Sequence, residues 1–223
     1  MTKIFVAIGF VLTLSLSAFS VFAQTESRDD ILKKIESKRA ELATLEKQFL
    51  APSAEDQASY AEFLNQPNTG LIRLLPREKY DTANLKEEKK SITIPGGGAY
   101  YSFARLTHEY GYGSDLELDK GMLISGFTGG HSGSLINLGD IPLETVSLET
   151  PAARELANVS HKKSSQSQVP LKLSSTYLLR SVDSAPSDVL VAFKVVRIDS
   201  DESAIILWKL LKKSPLAQGA RNN

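Results

Sequence analysis

The ten-residue stretch VLVAFKVVRI, residues 189–198, decides the fold of this 223-residue chain. The odd positions from 189 to 195 are Val, Val, Phe and Val, and apolar residues also occupy most of the alternate positions. A strand that is apolar on both faces is buried on both faces, so we expect it at the centre of a sheet. Residues 199–203 are polar and suit a hairpin loop that leads into a second apolar strand at residues 204–211.

Short β-branched and aromatic runs between turn residues predict further strands on the N-terminal side. They cover residues 71–75, 91–94, 99–107, 115–118, 122–127, 134–137 and 176–182. Residues 151–157 suit a short helix, and residues 158–168, rich in Ser, Lys and Gln, suit a mobile loop. We therefore expect an α+β, mainly β fold, with a single antiparallel β-rich domain over residues 67–216, either sandwich or barrel-like, and a disordered tail at 217–223.

A helical arm, residues 24–66, precedes the strands. Ser27 and Asp30 have the spacing of a capping box, and Ser53 with Asp56 predicts the start of a second, short helix. The first helix carries an apolar stripe at spacings of 4, 7, 3 and 4, with Lys38 at one position of the same face. The stripe consists of Ile31, Ile35, Leu42, Leu45 and Phe49. It predicts either self-association through Ile35, Leu42, Leu45 and Phe49 or packing against the chain's own sheet.

Residues 1–23 have the pattern of a cleavable secretory signal. Lys3 precedes an apolar run over residues 4–16, and Val21 and Ala23 place small residues where a signal peptidase cleaves. A membrane anchor is the alternative interpretation, but polar residues interrupt the run. No later segment approaches the ~20 apolar residues of a spanning helix. We therefore expect an exported protein, periplasmic or extracellular, with no transmembrane segment after cleavage.

Composition excludes several function classes. The chain has no cysteine, so it can form neither a disulfide framework nor a lipid-modified cysteine after the signal. Lys plus Arg equals Asp plus Glu at 26 each, without the basic excess that nucleic-acid binding needs. No phosphate-loop, dinucleotide or zinc motif is present, so we expect no cofactor and no metal.

One stretch concentrates the unusual residues. Eleven of the 14 glycines lie between Gly96 and Gly139, and four of the seven tyrosines lie between residues 100 and 112. Such loops can shape a cleft, although tight turns and core packing explain the same enrichment. The candidate ligand-binding residues are Tyr100, Tyr101, Arg105, Tyr110 and Tyr112.

The same region supplies the candidate catalytic residues, which are His108, Glu109, Asp115, His131 and Ser132. Acids and an imidazole can transfer protons, but the alternation of residues 115–119 favours a strand with carboxylates in water and leucines in the core. Residues 130–134, GHSGS, resemble the serine-nucleophile sequence of chymotrypsin-like proteases over five residues. That family also needs a distant upstream His and a buried Asp, whereas His108 is only 24 residues away, so a turn is the favoured interpretation.

Two functions fit these observations. The first is a non-enzymatic binding or envelope-associated module with a protein or glycan partner, which the shortage of nucleophile–base pairs favours. The alternative is a hydrolase or a carbohydrate-acting or carbohydrate-binding protein with a Tyr/Gly-rich cleft over residues 96–134.

Overall fold

The structure is a computed structural model of the chain, and it describes residues 26–80, 98–108, 110, 113–128, 131–158, 167–183 and 187–214. The chain forms two compact units, Met1–Thr44 and Leu45–Asn223. The signal at residues 1–23, the strand at 91–94 and the tail at 217–223 lie outside the described residues. Among the described helices, none is long and apolar enough to cross a membrane.

Helix α1 (Arg28–Leu50) begins directly after Ser27, whose hydroxyl caps it as predicted. The Ser27 hydroxyl accepts a hydrogen bond from the Asp30 amide at 3.1 Å and donates one to the Asp30 carboxylate at 2.8 Å. The second capping box also forms, between Ser53 and Asp56. The helix that it starts is split by Tyr60 into α2 (Ala54–Ser59) and α3 (Ala61–Leu64).

A five-stranded antiparallel sheet dominates the second unit. Its strands are β1 (Thr69–Leu74), β5 (Ser132–Gly139), β7 (Thr176–Asp183), β8 (Ser187–Ile198) and β9 (Ala204–Ser214). Their spatial order is β1-β9-β8-β7-β5, so the strand that contains residues 189–198 is central, as the sequence predicts. The predicted hairpin loop between β8 and β9 also forms, with the Asp199 amide donating to the Ser203 carbonyl at 2.8 Å.

A four-stranded antiparallel sheet forms a second layer. Its strands are β2 (Tyr100–Tyr101), β3 (Leu116–Asp119), β4 (Met122–Ser125) and β6 (Ser167–Pro170), in the order β2-β3-β4-β6. The β3–β4 hairpin turns at Lys120 and Gly121, whose φ angles of 48° and 70° fit a two-residue turn with both residues in the left-handed region.

The two sheets enclose one core, and helices cover the other face of the five-stranded sheet. Val191 and Phe193 of β8 pack into the core shared with Leu116 of the four-stranded sheet. Leu190 and Ala192 face the opposite way, toward α3, a 3-10 turn (Leu143–Thr145) and helix α4 (Pro151–Asn158). The central strand is therefore buried on both faces, which explains why its sequence is apolar at nearly every position.

The sheets come together along β5. A Cβ atom at Gly133 would lie 2.4 Å from the backbone nitrogen of Gly126, at the end of β4, so only glycine permits this approach. Nearby, the Leu135 amide donates to the Ser167 hydroxyl of β6 at 3.0 Å. These contacts join the second sheet to an edge of the first.

Two predicted elements differ in the structure. Residues 99–107 do not form one strand, because the chain turns after Tyr101 and Leu106 takes a left-handed φ of 58°. The predicted loop at 158–168 is partly wrong, since Ser167 and Gln168 belong to β6, while 159–166 lie outside the described residues. Both errors occur where polar or turn-forming residues join the second sheet.

Candidate functional site

A chain of polar side chains crosses the core between the two sheets. Asp115 lies directly before β3, and Ser181 lies on β7 of the opposite sheet. The Ser181 hydroxyl donates to the Asp115 carboxylate at 2.5 Å and lies 2.6 Å from Nε2 of His131. Nδ1 of His131 is 2.8 Å from the Thr128 hydroxyl oxygen. The structure thus brings together Asp115 and His131, two residues that the sequence analysis singled out separately.

The number of protons fixes the direction of each hydrogen bond. Ser181 has one hydroxyl proton and gives it to Asp115, so Nε2 of His131 must donate to the Ser181 oxygen. In a neutral imidazole Nδ1 then accepts from Thr128. If Asp115 is protonated, the acid can donate to Ser181 and the whole chain can reverse, with the imidazole proton moving to Nδ1.

The Asp115 carboxylate also organises the turn after β2. It accepts hydrogen bonds from the Phe103 amide at 2.7 Å, the Ala104 amide at 3.4 Å and the Ser102 hydroxyl at 3.4 Å. Burial nevertheless raises the pKa of Asp115 to about 6, because the low-dielectric interior disfavours the charge more than these hydrogen bonds stabilise it. The residue is therefore both a structural bridge and a group that titrates in mildly acidic solution.

Burial limits the chemistry of this network. Asp115 and His131 have no exposed surface, and Ser181 has almost none. The serine lies between the imidazole and the carboxylate, whereas a catalytic triad needs the imidazole between the other two. Ser132, the candidate nucleophile, is itself buried on β5. The network can shift protons within the core, but this arrangement supports a structural role.

His108 lies in a different environment. Its Nε2 is 2.8 Å from the carbonyl oxygen of Arg73, and its ring centroid is 4.9 Å from that of Tyr101. Burial lowers the pKa of His108, which keeps the imidazole neutral and Nε2 as the donor to the carbonyl. Its partner in the sequence-based hypothesis, Glu109, lies outside the described residues.

The candidate aromatic residues divide between core and surface. Tyr101 is a core residue that packs edge-on against Phe103 at 5.0 Å. Tyr100 is buried, but its ring centroid lies 4.6 Å from that of Tyr110 and 5.7 Å from that of Phe127. Tyr110 and Phe127 are both partly exposed. Of the other two candidates, Arg105 is exposed and Tyr112 is outside the described residues.

An ion pair adjoins this aromatic group. Arg77 donates to Glu117 at 2.9 Å, and its guanidinium carbon lies 6.0 Å from the Tyr100 ring centroid. Glu117 is nearly buried while Arg77 is partly exposed. Tyr100, Tyr110, Phe127, Arg77 and Glu117 form what we call the aromatic patch.

The interpretation of residues 115–119 is confirmed for the strand and its leucines, since Leu116 and Leu118 face the core, but it is wrong for two of the carboxylates. Asp115 is buried between the two sheets and Glu117 is buried on the other face of β3, while Asp119 is partly exposed. Asp115 is held by backbone amides and Ser181, and Glu117 pairs with Arg77. The alternation of acids and leucines predicted one face in water, but other parts of the protein cover both faces of this strand.

A buried ion pair that the sequence analysis did not identify lies on the helical side. Arg180 of β7 binds both carboxylate oxygens of Asp188 at 3.0 and 2.8 Å and also donates to the Leu156 carbonyl at the end of α4. The consecutive polar residues Arg180 and Ser181 within an otherwise apolar strand were the available signal. Arg180 points to the helical face of the sheet and contacts Leu156, whereas Ser181 points to the second sheet and contacts Asp115.

Among the described residues, no group of three or more His, Asp or Glu side chains is arranged to hold a metal ion. No protein-family model matches the chain, and comparison with curated proteins and with solved structures gives no match.

Proposed function

We propose that this protein is an exported, non-enzymatic binding module and that helix α1 is its binding element. The observation that carries the proposal is the exposure of large apolar side chains along this helix, each between 41% and 56% exposed. They are Ile31, Leu32, Ile35, Leu42, Leu45 and Phe49. A contiguous apolar surface of this kind is typical of an interaction site.

The β-rich unit supports the same proposal as a scaffold. Its acid–imidazole network is enclosed between the sheets, where Asp115, Ser181 and His131 satisfy one another. Hydrogen bonds of this kind specify a single packing of the two sheets. The exposed apolar residues of α1 contrast with this internally satisfied core.

Photo-crosslinking in the producing cells tests the binding role. A photoreactive phenylalanine at Leu42, on the apolar stripe, should give a discrete covalent adduct on irradiation. The same residue at Glu36, an exposed position on the polar side of α1, serves as the matched control and should not. Equal labelling at both positions, or no adduct at Leu42, would contradict a binding role for this face.

Export is a separate part of the proposal. The pattern of residues 1–23 supports removal of the leader after Ala23. Mass spectrometry of the protein from the periplasm or medium should find a chain that starts at Gln24. An intact N-terminus on cytosolic material would overturn this part without affecting the role of α1.

The aromatic patch favours a second candidate function, binding of a glycan. The partly exposed rings of Tyr110 and Phe127 can stack on a sugar face, and the partly exposed guanidinium of Arg77, held by Glu117, can donate hydrogen bonds. A thermal-shift screen against a glycan panel tests this candidate, since a specific ligand raises the midpoint by mass action. The shift should disappear in Tyr110→Ala, and the absence of any shift across the panel would exclude it.

A further inference from the structure

We propose that the apolar stripe of α1 binds a second copy of this chain, with the two helices antiparallel. This inference rests on the proposed function, because it names the partner of the same surface. Three features of the helix carry it: the arrangement of the stripe, the position of Lys38 and the distribution of charge.

The stripe matches itself in the antiparallel direction. Its members recur at alternating spacings of four and three when Lys38 is included, which is the pattern of a two-helix seam, and from Ile31 to Phe49 this seam is about 27 Å long. If two copies cross at residue 40, every seam position meets a seam position of the other copy. The resulting layers are Ile31 with Phe49, Ile35 with Leu45, and Lys38 with Leu42, each formed twice.

Lys38 selects this direction. In a parallel pair the two Lys38 side chains meet in one layer, where like charges repel as water is excluded. In the antiparallel pair each Lys38 lies against Leu42 of the other copy. Its aliphatic stem can cover that leucine while the ammonium stays with Glu41 of its own helix, 2.6 Å away in the structure.

Charge along the helix favours the same direction. Residues 28–39 contain five basic and three acidic residues, whereas residues 40–50 contain one basic and two acidic residues. The antiparallel pair places the positive half of each helix beside the negative half of the other. A parallel pair places the two positive halves together, where they repel. The charge distribution and the matching of the layers therefore both favour the antiparallel direction.

Cysteine crosslinking of the purified mature chain can determine whether the two helices are parallel or antiparallel, because the native sequence has no cysteine that would interfere. Variants Ile35→Cys and Leu45→Cys are mixed and oxidised in a glutathione buffer. Antiparallel helices bring these two positions into one layer, while two Ile35→Cys chains hold their thiols about 15 Å apart along the axis, too far for a disulfide. Glu36→Cys, on the polar side, measures random collision.

We expect the mixed disulfide to exceed each like pair and the Glu36→Cys background at least tenfold. Light scattering of the unmodified protein should show a dimer, and Leu45→Asp, which places a charge against Ile35 of the other copy, should dissociate it. A dominant Ile35→Cys like pair would overturn the antiparallel arrangement. If light scattering shows a monomer and crosslinking stays at the background level, self-association is overturned. The same holds if the monomer binds phosphatidylglycerol vesicles instead. If the Leu42 photo-adduct in cells then contains a different protein, the binding role stands while this inference fails; with no adduct, both fail.

Discussion

Replacing Asp115 with asparagine tests the assignment of a buried, titrating carboxyl between the sheets. Asparagine has nearly the same shape, and its amide can donate to the Ser181 hydroxyl as a protonated Asp115 does. The variant therefore imitates the acid form permanently. We expect it to fold and to lose the pH dependence that Asp115 confers on the free energy of unfolding.

The magnitude follows from the pKa. Burial raises the pKa of Asp115 from its ordinary 3.8 to about 6, so between these values the folded protein binds a proton that the unfolded chain has released. Stability from this group is complete below pH 3.8 and is lost as the pH rises through 6. At about 1.36 kcal/mol for each pH unit, the complete shift is worth about 3 kcal/mol, and about 2.4 kcal/mol of this loss relative to Asp115→Asn should occur between pH 4 and pH 7.

Urea unfolding at pH 4, 5, 6 and 7 measures this difference, with fluorescence of the single tryptophan, Trp208, as the probe. Trp208 is buried in the core between the sheets. Ser181→Ala serves as a companion variant: it removes a hydrogen bond that lowers the pKa of Asp115, so its pH transition should move upward. A difference in unfolding free energy between wild type and Asp115→Asn that does not vary with pH, or that grows with the opposite sign, would contradict a buried Asp115 with a raised pKa.

Three further substitutions probe other parts of the molecule. Gly133→Ala places a methyl group against the β4 backbone and should destabilise the fold by about 1–3 kcal/mol in urea unfolding; an unchanged midpoint would contradict the close approach. Arg180→Met removes the cation from Asp188, whose side chain is 16% exposed, and should cost about 3 kcal/mol, whereas a loss below about 1 kcal/mol would show the pair to be solvated. Lys38→Leu adds an apolar layer to the helix pair and should tighten self-association about tenfold in sedimentation experiments; weaker association would count against the proposed seam.

The fold was largely predictable where the sequence repeats a simple period. Residues 189–198 identified the central strand because they are apolar on both faces, and Ser27 with Asp30 located the start of α1. Strand β6 was missed because the sequence Ser-Gln-Val-Pro is polar and contains proline, which an edge strand tolerates. The turn after Tyr101 was missed because a distant carboxylate, Asp115, holds its amides.

The candidate site was less predictable because its contacts are distant in sequence. Asp115 and His131 were identifiable as titratable residues in a glycine-rich region, but the serine that connects them is 66 and 50 residues away. Nothing about Ser181 alone distinguishes it from other serines in strands. The prediction that Asp115 and Glu117 face water was wrong for a related reason. The groups that cover these two carboxylates come from other parts of the chain.

Helix α1 is proposed as a binding surface that a second copy of this chain covers. Amide hydrogen exchange across a hundredfold range of protein concentration measures this coverage, with β8 as the internal reference. We predict that exchange in α1 slows as concentration rises, that Leu45→Asp abolishes this slowing, and that exchange in β8 is the same throughout. Exchange in α1 that is independent of concentration and unaffected by Leu45→Asp would contradict the helix pair.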